Sequence, residues 1–377
     1  MSLRDRRLLV LPVLALTALA TTACGGGADD DAAVANIAVA AADGACEVGT
    51  TELPAGTHTF AITNTGSKVT EFYVYAGGDR VMGEIENIPP GLSRDLLVEL
   101  PAGEYEATCK PGMVGEGIRK ALTVTGESTQ LSEDETLAQA ATDYQRYVQS
   151  QTAALIDRTT AFVRAVEDGD VEGAKKLYPV ARSYWERIEP VAESFGDLDP
   201  KIDGREGDQA EGEDFTGFHR IEQALWETGD VSGMGPYAEQ LLSDVKEIVA
   251  RADDTTLEPL QLANGAKALL DEIASGKITG EEERYSHTDL WDFAANVEGS
   301  QAAVQALRPY LEEADRDLVA EIDERFAETE AELEQYRDGD GWVLHDRLSD
   351  DQLHGLSDSI TALTESVSQV AAVVAGR

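Results

Sequence analysis

Apolar and polar positions alternate along the first third of the chain and recur at helical spacing along the rest. Thr59-Phe60-Ala61-Ile62-Thr63 alternates and stops at Asn64-Thr65-Gly66, and Phe72-Tyr73-Val74-Tyr75 stops at Gly77-Gly78-Asp79. Leu96-Leu97-Val98-Glu99-Leu100 stops at Pro101-Ala102-Gly103, and Ala121-Leu122-Thr123-Val124 closes the series. Short runs of this kind, each ended by turn residues, predict a small antiparallel sandwich or barrel over residues 45–126. From residue 134 the period becomes helical. Leu137, Ala141, Tyr144, Tyr147, Val148 and Leu155 form one stripe, Ile322, Phe326, Leu333 and Tyr336 another, and residues 353–374 a last one. Asp- and Gly-rich breaks at 167–170 and 338–341 separate these segments. Residues 134–377 therefore read as an antiparallel helix bundle, a common scaffold for metal sites built from facing helices. A polar linker over 127–133 divides the two parts.

The first residues read differently. Arg4, Arg6 and Arg7 precede an apolar run over residues 8–20, and small residues follow up to Cys24. This is the pattern of a signal peptide over 1–23. Its apolar run is shorter than the roughly twenty residues a membrane-spanning helix needs. Cys24, followed by three glycines, resembles a bacterial lipobox, which implies that Cys24 is acylated and anchors the chain outside the cytoplasm. Residues 24–44, rich in Gly, Ala and Asp, read as a flexible tether.

Composition narrows the choice of ligand. The 377 residues carry 72 acidic against 30 basic side chains, a formal charge of −42, and 42% of them are apolar. That is enough for two domains with real cores. It argues against a nucleic-acid partner, because phosphates need Lys and Arg to neutralise them. Such a field concentrates small cations, or simply keeps an exported protein soluble.

Three stretches of the helical half carry candidate chemistry. His219-Arg220-Ile221-Glu222 sets an imidazole and a carboxylate at i and i+3 on one helix face, where two side chains can converge on one cation. Glu186, Glu189 and Glu193 share a face beside Trp185, Ile188 and Val191, and a loop with Asp197, Asp199 and Asp203 follows. Residues 280–291 read as opening a further helix with Glu281, Glu282 and Glu283 in its first turn, where acids also complement the macrodipole. Each feature alone also fits a solvated face or an ordinary ion pair.

Together, residues 181–203 (ARSYWERIEPVAESFGDLDPKID), 218–226 (FHRIEQALW) and 277–299 (KITGEEERYSHTDLWDFAANVEG) resemble the imelysin-like, peptidase-type HxxE domain of EfeO-type iron-uptake lipoproteins. In that family a cupredoxin-like Greek-key sandwich precedes the all-α imelysin-like bundle. The resemblance implies an extracytoplasmic protein that binds iron, Fe³⁺ or Fe²⁺, and works with a membrane permease and a haem-dependent peroxidase-like partner. It also implies a metal site of Glu186 and Glu189, Asp203, His219 and Glu222, and Glu282, with His287 a ligand or a supporting residue. One imidazole among carboxylates suits a hard iron cation better than Cu(I), although Zn²⁺ also takes such donors. Peptidase chemistry is disfavoured: neither HExxH nor HxxEH occurs, and Gln223 stands where the latter needs its second His.

In the sandwich, residues 64–72 and 109–113 resemble the two ligand regions of a cupredoxin. A blue-copper site needs two His, one Cys and an axial Met. Here the domain holds one histidine, His58, and Glu71 stands where the resemblance places the first ligand His. Copper electron transfer is therefore disfavoured. Cys46 and Cys109 either form a disulfide, as an oxidising compartment favours, or join Glu71 and Met113 in an auxiliary metal site for copper or iron.

Overall fold

Alternation of apolar side chains builds the first domain. In the computed structural model, residues 36–128, 130–189, 194, 198–209, 212, 214–253 and 257–377 are described. The signal peptide, Cys24, Glu193 and Asp197 lie outside them. Nine strands follow in order: β1 Asn36–Ala42, β2 Ala45–Val48, β3 Glu52–Pro54, β4 Gly56–Asn64, β5 Thr70–Ala76, β6 Arg80–Ile88, β7 Ser93–Leu100, β8 Gly103–Pro111 and β9 Ile118–Thr125. They form two sheets, ordered β2-β1-β4-β7 and β3-β9-β8-β5-β6. Ile37, Phe60, Ile62, Phe72, Val74, Leu96, Val98 and Leu122 fill the space between them. Residues 36–42, assigned to the tether by their composition, are β1 instead. Ile37, Val39 and Ala41 alternate into the core, and the strand runs parallel to β4. Small residues disguise a strand whose neighbours leave little room.

Ten helices among the described residues make the second part: α1 Glu135–Glu167, α2 Val171–Glu186, α3 Asp199–Asp203, α4 Gly217–Gln223, α5 Gly235–Asp253, α6 Pro259–Ser275, α7 Asp289–Ala314, α8 Arg316–Glu334, α9 Asp350–Val367 and α10 Val370–Val374. Asp134 caps α1 by accepting from the amides of Thr136 and Leu137. Between α8 and α9 the Asp/Gly break is a small hairpin, β10 Arg337–Asp338 with β11 Gly341–Trp342. Residues 280–288 are not the first turn of a helix, which opens only at Asp289. Gly280 and His287 both take positive φ, and the Glu222 carboxylate draws the amides of Tyr285 and Ser286 away from helical pairing. The stretch read as a loop after residue 197 likewise contains α3.

The sandwich and the helices meet along α6. Gln261 Nε2 donates to the Val81 carbonyl at 3.0 Å and Asn264 Nδ2 to the Leu97 carbonyl at 2.8 Å, while Leu97 packs against the helical core. Among the described residues, no helix is long and apolar enough to cross a membrane.

Candidate metal centre

Glu186 ends α2, and Glu189 follows directly after the two-residue turn 187–188, so the pair sits where the helix stops rather than along a solvated face. Asp203 ends α3. Fourteen residues later Gly217 opens α4, with φ near +80° and the Ile202 carbonyl against its α-carbon, so no side chain fits there. That close approach brings His219 and Glu222 up to Asp203. Glu282 arrives from the turn before α7. Asp203, His219 and Glu282 each offer an atom within 4.8 Å of the others, as do Glu186, Glu189 and Asp203. The structure thus brings all six residues read from the sequence into one cluster, in which Glu186 and Glu222 are wholly buried.

Within it the atoms are unequally engaged. Glu222 Oε1 accepts from the amides of Tyr285 and Ser286 at 3.0 and 2.8 Å, and Oε2 accepts from His219 Nδ1 at 3.0 Å. With its Nδ1 proton held there, His219 turns Nε2 towards Asp203 Oδ1 and Glu282 Oε1, 3.5 Å from each. Nε2 is buried and has these two carboxylates as its ionic partners. A metal cation bound here would displace the imidazolium proton and take one nitrogen and two carboxylates as ligands. Burial and Arg182 push the His219 pKa down, but the hydrogen bonds to Glu222 and Glu282 and the charge of Glu283 outweigh them and raise it to about 9.

Two cations that the sequence reading missed sit inside the cluster. Arg182, fully buried, forms ion pairs with Glu186, Asp203, Glu282, Glu283 and Asp292. Lys277 Nζ lies 2.5 Å from Glu186 Oε2 and 3.2 Å from Glu189 Oε2. Asn296 Nδ2 donates to both of those carboxylates at 2.9 Å. The consequences for protonation are opposite within one pair. Burial opposes ionisation of Glu186, but Lys277 and Arg182 prevail and lower its pKa; burial and the Glu186 charge raise that of Glu189 well above normal. Glu283, raised to about 7 by burial and the Glu222 charge, accepts from Ser286 Oγ at 2.7 Å. A signal for Arg182 was available in its i, i+4 spacing to Glu186. Lys277, Asp292 and Asn296 had none. His287 is half-buried, outside the cluster, and its carbonyl accepts from the His345 amide.

The cluster opens into a cavity of about 1080 Å³ between the two domains, lined by Glu189, Asp203 and Glu282 on the helical side and by Glu71, Tyr73 and Glu86 on the sheet side. Of the two readings of the cysteines, the disulfide holds and the auxiliary metal site does not. Cys46 and Cys109 are joined as a disulfide, so neither offers a thiolate. Cys109 pairs across the strands with Phe72 and points into the sandwich core, whereas Glu71, one residue along, faces the cavity. Alternation puts Cys109 and Glu71 on opposite faces, so the cysteines and this carboxylate do not form one set of ligands. Glu71 instead accepts from Tyr73 Oη at 3.1 Å, and burial raises its pKa to about 7. Met113 lies on the cavity rim, with positive φ. His58 is tied to the Pro54 carbonyl at 2.8 Å.

Comparison with known proteins agrees with this layout. The Imelysin family matches residues 140–370, and the Cupredoxin-like domain family matches residues 9–124. The chain is 41% identical over 368 residues to the "Iron uptake system component EfeO" of Escherichia coli strain K12 and to that of Shigella flexneri, covering 96% of each chain in both cases. A solved structure from Parabacteroides distasonis ATCC 8503, of a protein named as an iron-regulated protein A precursor, superposes with a TM-score of 0.50 at 14% identity. It covers 65% of this chain and 100% of that one, a likeness of fold alone.

Proposed function

This chain belongs to the imelysin family, in the EfeO group that carries a cupredoxin-like domain ahead of the helical one, and we propose that it is the iron-binding component of an iron-uptake system. In this reading Glu186, Glu189, Asp203, His219, Glu222 and Glu282 make up the centre that captures Fe³⁺ or Fe²⁺, with Zn²⁺ and copper as competitors. The protein works outside the cytoplasm, anchored through a lipid on Cys24, and passes its cargo to a membrane permease, with a haem-dependent peroxidase-like protein as a further partner. Two domains share this task, a sandwich that begins at β1 rather than at residue 45 and a helical part from residue 134, joined by the linker at 127–133.

The observation that carries the proposal is the convergence of His219 Nε2, Asp203 and Glu282, buried together beside an acid-lined cavity. Oxygen-rich donors with a single imidazole suit a hard cation. The same inventory supports binding over hydrolysis: the cluster has one histidine, and Gln223 donates to Glu206 and Tyr285 instead of serving as a second nitrogen ligand.

Titration of Fe³⁺ and Fe²⁺ against wild type, the His219→Ala/Glu222→Ala double variant and the Asp203→Asn/Glu282→Gln double variant tests this. Loss of at least about tenfold in affinity is expected for each pair. Wild-type affinity in both would reject the site.

A further inference from the structure

Lys277 lies between two of the side chains assigned to the ion. It occupies a single turn, Lys277–Thr279, directly after α6, and is wholly buried. Its ammonium contacts Glu186 Oε2 at 2.5 Å and both oxygens of Glu189 at 3.2 and 3.3 Å, with Asn296 Oδ1 at 3.1 Å. Glu272 is 3.5 Å away. Most of its charge is therefore spent on the ExxE pair. Arg182 differs: its fork is shared among five carboxylates, and two of these, Glu283 and Asp292, lie outside the assigned ligands. A guanidinium held on that many sides is part of the fold, whereas an ammonium on a flexible four-carbon stem can draw back from its partners.

From this geometry we propose that Lys277 is a built-in competitor for the captured ion: its ammonium occupies the ExxE carboxylates in the ion-free protein and weakens the grip on the ion, so that the cargo can be handed on. The inference rests on the reading of Glu186 and Glu189 as ligands. Removing all charge from the Lys277 position takes away a repulsion acting on a multivalent ion a few ångströms distant, in surroundings far less screening than water. At an effective dielectric constant of about 20 this amounts to at least about tenfold in affinity. An ion carrier built only of carboxylates would bind more tightly and release more slowly.

The test uses the full chain with the variants Lys277→Met, Lys277→Gln and Lys277→Arg, titrated with Fe³⁺ in competition with citrate and separately with Zn²⁺. Both neutral variants are expected to bind at least about tenfold more tightly and to lose the ion more slowly to excess chelator, while the arginine variant gains nothing. Neutral variants that fold only with ion present are measured by refolding from urea at rising ion concentration, which yields the same affinity. Equal or weaker binding by the neutral variants overturns the inference, and so does an equal gain in the arginine variant. Failure of the wild type to bind either ion overturns the reading beneath it instead.

Discussion

At the scale of single residues, the centre shows how a crowd of acids is kept in a folded core. Buried carboxylates repel one another and lose hydration, so each needs a proton, a donor or a cation. Glu222 has three donors, Glu186 has Arg182, Lys277 and Asn296, and Glu283 has Ser286 and Tyr178. Arg182 is the member with the most partners. Arg182→Ala is expected to cost about 3–5 kcal/mol in the presence of chelator, because it leaves several buried charges uncompensated. Urea denaturation measures this, and a loss under about 1 kcal/mol would mean that the acids accommodate one another by protonation.

At the scale of elements, the site depends on where helices stop and start. α2 ends at Glu186, α3 ends at Asp203, α4 opens two residues before His219, and α7 waits until Asp289. The junction of α3 and α4 is the tightest. Gly217→Ala puts a β-carbon into the Ile202 carbonyl at a φ that L-residues avoid, so it should destabilise by more than about 1 kcal/mol and weaken ion binding as well. A variant that keeps both its urea midpoint and its iron affinity would show that the junction tolerates the shift. The helical stripes and four of the strands were legible in the sequence because their periods are local. The opening of α7 was not. Glu281 to Glu283 look like first-turn acids, yet the turn is held open by Glu222, sixty residues earlier in the chain. β1 was likewise hidden, since Ala-rich alternation reads as a tether until β4 pairs with it.

At the scale of the whole molecule, protonation and the cystine bridge set separate stabilities. Glu71, Glu86, Glu272 and Glu283 have pKa values raised from 4.5 to about 7, and His219 from 6.5 to about 9. A raised pKa contributes stability that is full below the unfolded value and lost as pH climbs through the folded one. The carboxylates therefore weaken the ion-free protein from about pH 4.5 through 7, and His219 extends the loss to about 9. Glu186, Glu222 and Glu282, with lowered pKa values, act the other way and only below the usual glutamate range. The ion-free urea midpoint should thus be lower at pH 8.5 than at 5.5, and saturating iron should narrow the gap. A higher midpoint at pH 8.5 would contradict the assignment. The Cys46–Cys109 bridge, spanning 63 residues, belongs to the sandwich. The Cys46→Ala/Cys109→Ala double variant should lose about 2–4 kcal/mol in that domain while iron affinity at the helical centre stays unchanged. A loss of iron affinity on removing the bridge would tie the sandwich directly to the captured ion.

The chain by itself determined the order of its parts. Strands come before helices because side-chain period is a local property. An acid-rich surface suits a cation or simple solubility, and the resemblance of three motifs to a known family marks six side chains as candidate ligands. Tertiary structure alone decided how those ligands are held. The cations that balance them, Arg182 on α2 and Lys277 in the turn after α6, come from separate segments, and the disulfide faces away from Glu71 because alternate residues of a strand face opposite sides. Charge balance in a buried site is a sum over segments far apart in sequence, and no local pattern records it.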